Sequence, residues 1–150
     1  MARPLSQSIF VLGWAALVGA IATGFGINAV LRPVNAMTWF EIAPPPNGER
    51  WDEEFFQLIL PVYGSRNILI GLTIILAAYN RHSQILGFLV LGFGALATVD
   101  GFACWRRGVG EWNHWGYAPQ LLGLSTLVFG LWDGVWAKVV SLFTETKQKK

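Results

Sequence analysis

Two ionisable residues, Arg66 and Asp100, stand inside otherwise apolar stretches of the chain. A charge placed in hydrocarbon is costly, so such a residue is either paired architecture or the seat of chemistry. Arg66 follows Pro61 by five residues and Asp100 precedes Trp105 by five. At about 1.5 Å per helical residue these spacings put both at a similar depth, where each is the other's natural counter-ion. More polar residues share that level. Tyr63 and Asn67 keep helical spacing with Arg66, Asn28 sits between Gly24 and Arg32 at i, i+4, i+8, and Tyr117 and Gln120 open the last apolar stretch just after His114. A carboxylate, a guanidinium and phenol hydroxyls at one depth are the parts of a cofactor-independent acid–base site. One group protonates a leaving oxygen while another takes a proton from water or a substrate hydroxyl. Asp100 is the leading carboxylate and could fill either role. Arg66 would orient it or stabilise a developing alkoxide, and Tyr63 could donate to the same oxygen. Glu53 and His114 are the second proton carriers, from the loops. Asn28, Asn67, Tyr117 and Gln120 would bind substrate, with Trp39 and Trp112 lining an apolar path. The structural alternative is equally plain: a buried ion pair, hydrogen-bonded helix contacts and an aromatic belt.

The elements that must position these residues follow from composition. Of 150 residues 53% are hydrophobic and 13% charged, with mean hydropathy +0.44. A soluble domain carries about 25% charged residues. These figures exclude a disordered chain, and the net charge of +2 gives no footing for nucleic acid. One cysteine, Cys104, leaves no disulfide framework and no multi-cysteine metal site. The pattern predicts an all-α integral membrane protein, a four-transmembrane-helix bundle forming one membrane domain over 1–150. Its spans fall at about 8–31, 55–79, 84–105 and 117–140, each near the 20 residues or so that cross a bilayer. The first apolar run is longer than the roughly 7–15 residues of a signal-peptide core, so it reads as a retained span. Asn80 to Ser83 makes a very short turn, whereas the first loop is long and polar and contains Pro44-Pro45-Pro46-Asn47-Gly48. Gly64 and Gly71, Gly87, Gly92 and Gly94, and the Gly130–Gly134 pair read as helix-packing positions.

Four spans put both termini on one side. That side collects Arg3, Arg81, Lys138, Lys147, Lys149 and Lys150, against Arg32, Arg50, Arg106 and Arg107 on the other, which predicts cytosolic termini. Lys147 to Lys150 resembles a dilysine retrieval signal of the endoplasmic reticulum, and a positive-inside tail explains it equally well. Asp133, close to Trp132, Trp136 and Lys138, reads as a solvated carboxylate at that interface.

The pattern Gly64-x-Arg66-Asn67-x3-Gly71-Leu72, a short basic turn, and a third span ending in Asp100-Gly101 resembles a family of small fungal membrane proteins. That family is a four-helix domain of unknown function often encoded in secondary-metabolite gene clusters. The resemblance covers roughly 22–133. Members more commonly carry Asp after the arginine, where this chain has Asn67. A carboxylate role at that position is then absent here or falls to Asp100 or a loop acid. The resemblance implies a tailoring step on a lipophilic polyketide or terpenoid, and by analogy of architecture it points to membrane cyclases that open epoxides or protonate alkenes. The expectation is a membrane-embedded enzyme, without cofactor or metal, that opens an epoxide or cyclises or hydrolyses such a substrate. Its partners would be the bilayer, the lipophilic substrate, a second copy or other biosynthetic enzymes, and no nucleic acid. The alternative is a non-catalytic scaffold, accessory subunit or lipophile carrier.

Overall fold

Ser8 opens the first long helix, its hydroxyl accepting the Val11 amide at 3.2 Å. In the computed structural model, which describes residues 3–41 and 50–148 and the side chains over 3–41 and 54–144, every regular element is helical. Helix α1 spans Ile9–Leu31, and α2, Pro33–Met37, starts on a proline, which lacks the N–H that a helix start leaves unpaired. A 3-10 turn, Thr38–Phe40, ends at Glu41 in the left-handed region (φ 52). Helix α3, Arg50–Tyr79, runs through Pro61 and begins five residues ahead of the expected span. A three-residue turn with Arg81 at φ 56 leads into α4, Ser83–Trp105. Then come α5 (Trp112–Trp115), α6 (Ala118–Val128) and α7 (Asp133–Gln148). The proline-rich part of the first loop and the last two lysines lie outside the described residues.

Helix α1, the Glu54–Tyr79 part of α3, and α4 are long and apolar enough to cross a membrane. Only 28–33% of each hydropathic window is buried inside the protein, so most of this apolar surface faces outward, as on a lipid-exposed helix. The fourth stretch, expected as one span over 117–140, is broken. It qualifies only as a bent pair, Trp112–Val128 and Asp133–Thr144, whose axes differ by 69°. The break is a Schellman turn: the Leu131 amide donates to the Thr126 carbonyl, the Gly130 amide to that of Leu127, and Gly130 takes φ 78. Hydropathy sums residue types and carries no information on chain direction, so the break was invisible to it. Gly130 and Gly134 therefore make no helix-packing pair among the described residues; a Cβ on Gly134 would meet open space.

The packing glycines lie elsewhere. Antiparallel α1 and α3 cross with Gly26 on Gly64 and Gly19 on Gly71. A Cβ on Gly26 would sit 2.5 Å from the Gly64 carbonyl oxygen, and one on Gly64 2.6 Å from that of Gly26, so the backbones touch and no larger residue fits. Helix α4 rests on α6, with Gly87 under the Phe129 ring and Gly94 under Leu121 and Leu122. The base of the bundle is tied by its N-terminal residues. Asp133 accepts the Ser6 amide at 2.8 Å and the Ser6 hydroxyl at 2.7 Å, and the Gln7 amide group reaches Ser83. Asp133 is thus a structural acceptor rather than a solvated carboxylate. Val11, Leu12 and Ala15 of α1 share one core with Leu124 and Val128 of α6, but above them α1 and α6 part.

Candidate functional site

Where α1 and α6 part, a cavity of about 220 Å³ opens among α1, α3, α4 and α6. Its floor is buried and mostly apolar: Ala22, Ala97, Leu121 and Leu124, with Asn67. Its rim is exposed and lies on α1, where Trp14, Leu17, Ile21 and Phe25 recur at helical spacing, and on α6, where Gln120 faces them. Trp14 and Phe25 are eleven residues apart, about 16 Å along the helix axis. The cavity is therefore a slot along the seam between two helices, opening on the bundle's apolar flank. Its polar lining gathers at the end away from Ser6: Tyr63, Asn67, Asp100, Tyr117 and Gln120.

Asp100 Oδ2 accepts from Arg66 Nη2 at 2.8 Å, with the side chains 18% and 35% exposed. The guanidinium stacks over the Tyr63 ring at 4.7 Å, so one arginine holds both the carboxylate and the phenol in place. Arg66 Nε is buried and has no partner among the described residues. Behind Asp100 the Trp115 ring lies against Gly101, held by a 3.1 Å bond from its Nε1 to the Thr98 carbonyl. Only glycine leaves room for that ring.

His114 is 3% exposed, and its Nδ1 lies 3.2 Å from the Tyr117 hydroxyl. Its Nε2 is buried without a partner among the described residues. With the ring proton on Nδ1, the group left without a partner at Nε2 is a lone pair and not an N–H. His114 then donates to the Tyr117 oxygen, and the Tyr117 O–H is free to point into the cavity. The tautomer is assigned from this balance of partners. Phe40 roofs the arrangement, its ring 5.0 Å from His114 and 5.2 Å from Tyr63.

The structure thus gathers Asp100, Tyr63, Asn67, Tyr117 and Gln120 at one end of the cavity, with Arg66 bonded to Asp100 and His114 beside Tyr117. It leaves the others outside. Asn28 donates to Asn35 at 2.9 Å on the exposed side of α1. Trp39 meets Phe25 edge to face at the upper end of the slot, with ring centroids 4.6 Å apart. Trp112 is exposed and touches Trp115 edge to face. The Glu53 side chain lies outside the described residues. No three His, Cys, Asp or Glu residues converge among the described ones. Phe40 and the α1 stripe were missed from sequence. The stripe has no contrasting polar face in an all-apolar helix.

Residues 19–131, most of the chain, match the family described as Domain of unknown function (DUF4267). The chain belongs to that family. No curated protein and no solved structure matches it. The DUF4267 match takes in all four glycines of the α1–α3 crossing, the Arg66–Asp100 pair and the polar end of the cavity. It ends at the Gly130 turn, so α7 lies beyond it.

Proposed function

We propose that this DUF4267 protein is a membrane-embedded, cofactor-independent enzyme that opens an epoxide, or cyclises a chain carrying one, on a lipophilic polyketide or terpenoid. One observation carries the reading: a carboxylate and two phenols lie together at one end of an otherwise apolar slot that opens sideways between α1 and α6. Tyr117, its hydroxyl freed by His114, gives its proton to the epoxide oxygen as the C–O bond breaks. Asp100, oriented by Arg66, takes the proton from the attacking water or substrate hydroxyl. The new C–O bond forms on the carbon that loses the epoxide oxygen, and the proton on Asp100 returns to the Tyr117 phenolate through solvent, closing the cycle. Hydrolysis adds one water, whereas cyclisation leaves the mass unchanged.

The cavity size supports a particular mode of binding. Ligand pockets usually measure about 300–1,000 Å³. At about 220 Å³ this one admits the reacting end of a long substrate and leaves its tail between α1 and α6. The test is to incubate membranes bearing wild type, Asp100→Asn or Tyr117→Phe with isoprenoid and polyene chains ending in an epoxide, some carrying a hydroxyl placed to attack it, following products by mass spectrometry and protein abundance by immunoblot. Wild type should give the diol or the cyclic ether, and Asp100→Asn at equal abundance should give neither. Wild type that only retains the epoxide, at no more than the conversion of empty membranes, would make the slot a lipophile carrier and overturn the proposal.

A further inference from the structure

We propose that α7 is an interfacial helix, lying along the surface of a phospholipid leaflet with its apolar face in the headgroup–acyl boundary, and takes no part in crossing the bilayer. The Ser6–Asp133 bonds fix its starting level. Ser6 precedes the first residue of α1 and bonds Asp133, the first residue of α7, through both its amide and its hydroxyl. The chain has therefore returned to the level where α1 begins before α7 starts. Helix α4 begins at that level too, tied through Gln7 and Ser83. No membrane thickness remains there for another 16 residues, about 24 Å of helix, to traverse. The 69° turn after α6 carries α7 across the end of the bundle instead of along it.

The α7 sequence has the matching pattern. At about 100° per residue, Trp132, Val135, Trp136, Val139, Leu142 and Phe143 fall within an arc of about 120°. Five of the six are exposed, with Val139 half-buried, so the protein itself does not cover this face. Gly134, Ala137, Ser141 and Thr144 occupy the opposite side. A helix of this kind buries its apolar face about 5–10 Å into the boundary region. Two tryptophans at its start are suited to that depth, and Ile9 and Phe10 at the start of α1 are exposed apolar residues as well. Charge agrees with a lipid headgroup partner. Arg3, Arg81 and Lys138 crowd this end, while the Asp133 carboxylate is already engaged by Ser6.

Spin labels on single cysteines placed at Val135, Val139, Leu142, Ala137 and Ser141, in the full chain reconstituted into phosphatidylcholine–phosphatidylglycerol vesicles, test this directly. The parent protein, whose Cys104 is buried, sets the background labelling. Oxygen and a water-soluble nickel chelate report depth through their collision rates. The expected result is a common shallow depth for the labels at 135, 139 and 142, water exposure at 137 and 141, and a period of 3.6 residues. Depth that increases steadily along the helix would make α7 part of a crossing. Labels at 135, 139 and 142 that collide freely with the chelate, or with neither reagent, would mean that water or another protein meets this face. Either result overturns the proposal.

Discussion

The Tyr117 hydroxyl lies 3.2 Å from Nδ1 of His114, whose other ring nitrogen is buried with no partner among the described residues. With the ring proton on Nδ1 the Tyr117 O–H is left for the cavity, and the proposed reaction uses it as a donor. Tyr117→Phe should lower turnover about 10²-fold, the usual scale for a lost general acid, with abundance unchanged. His114→Phe keeps the packing against Phe40 but removes the orienting donor. It should lower kcat by roughly tenfold with KM little changed, since the phenol remains and only its direction is lost. A KM effect without a kcat effect would show that His114 only shapes the pocket.

Arg66 and Asp100 separate chemistry from architecture. Asp100→Asn keeps an acceptor for Arg66, so the fold should persist while turnover falls by about 10² or more. Asp100→Glu keeps the charge and displaces it, and should also lose most activity. Arg66→Ala removes a charged hydrogen bond worth about 1.5–3 kcal/mol, and should lower the thermal midpoint in detergent as well as activity. An active Asp100→Asn variant would reduce the pair to structure.

The α1–α3 crossing leaves no space for a side chain. Gly26→Leu must separate backbones that touch, and should destabilise by about 1–3 kcal/mol or prevent assembly. Two residues away, a Cβ on Gly24 meets nothing within 4 Å. Gly24→Ala should be neutral or stabilise by about 0.5–1 kcal/mol. Thermal unfolding of both variants in detergent checks the contrast.

Asp133 holds the base through two bonds from Ser6. Ser6→Ala loses the hydroxyl bond alone, about 1 kcal/mol, whereas Asp133→Ala loses both and should cost about 1.5–3 kcal/mol. Both should leave turnover of the folded protein intact, because the polar end of the cavity is far up the bundle. Thermal midpoints read against initial rates test this.

Ile21 stands on the rim of the slot. Ile21→Trp should narrow the seam to α6 and slow long-chain epoxides by roughly tenfold or more, while sparing short ones that fit wholly inside. Equal slowing of both would place the substrate path elsewhere.

Much of this was legible in the sequence where one-dimensional spacing maps directly onto depth. Five residues from Pro61 and five from Trp105 were enough to pair Arg66 with Asp100, and run length alone gave α1, α3 and α4. Rotation about a helix axis was not legible. Asn28 shares a face with Gly24, but Gly26 is the residue turned towards α3. Two residues are about 200° of helix, so Asn28 points away from that contact and ends on Asn35. Gly64 and Gly71 were recognised as packing residues without their partners, because Gly19 and Gly26 become conspicuous only once the antiparallel register is known. The turn at Gly130 hid inside a hydropathy average. Phe40 reaches the site through tertiary folding, which leaves no periodic trace.

For the proposed reaction, the sideways opening of the slot also determines which concentration governs the rate. A substrate that reaches Asp100 between α1 and α6 arrives by two-dimensional diffusion from the surrounding lipid, so the relevant quantity is its mole fraction in the leaflet and not its molarity in water. Adding inert phospholipid to a fixed amount of protein and substrate then slows turnover, while adding buffer leaves it unchanged. Saturation constants become properties of membrane composition.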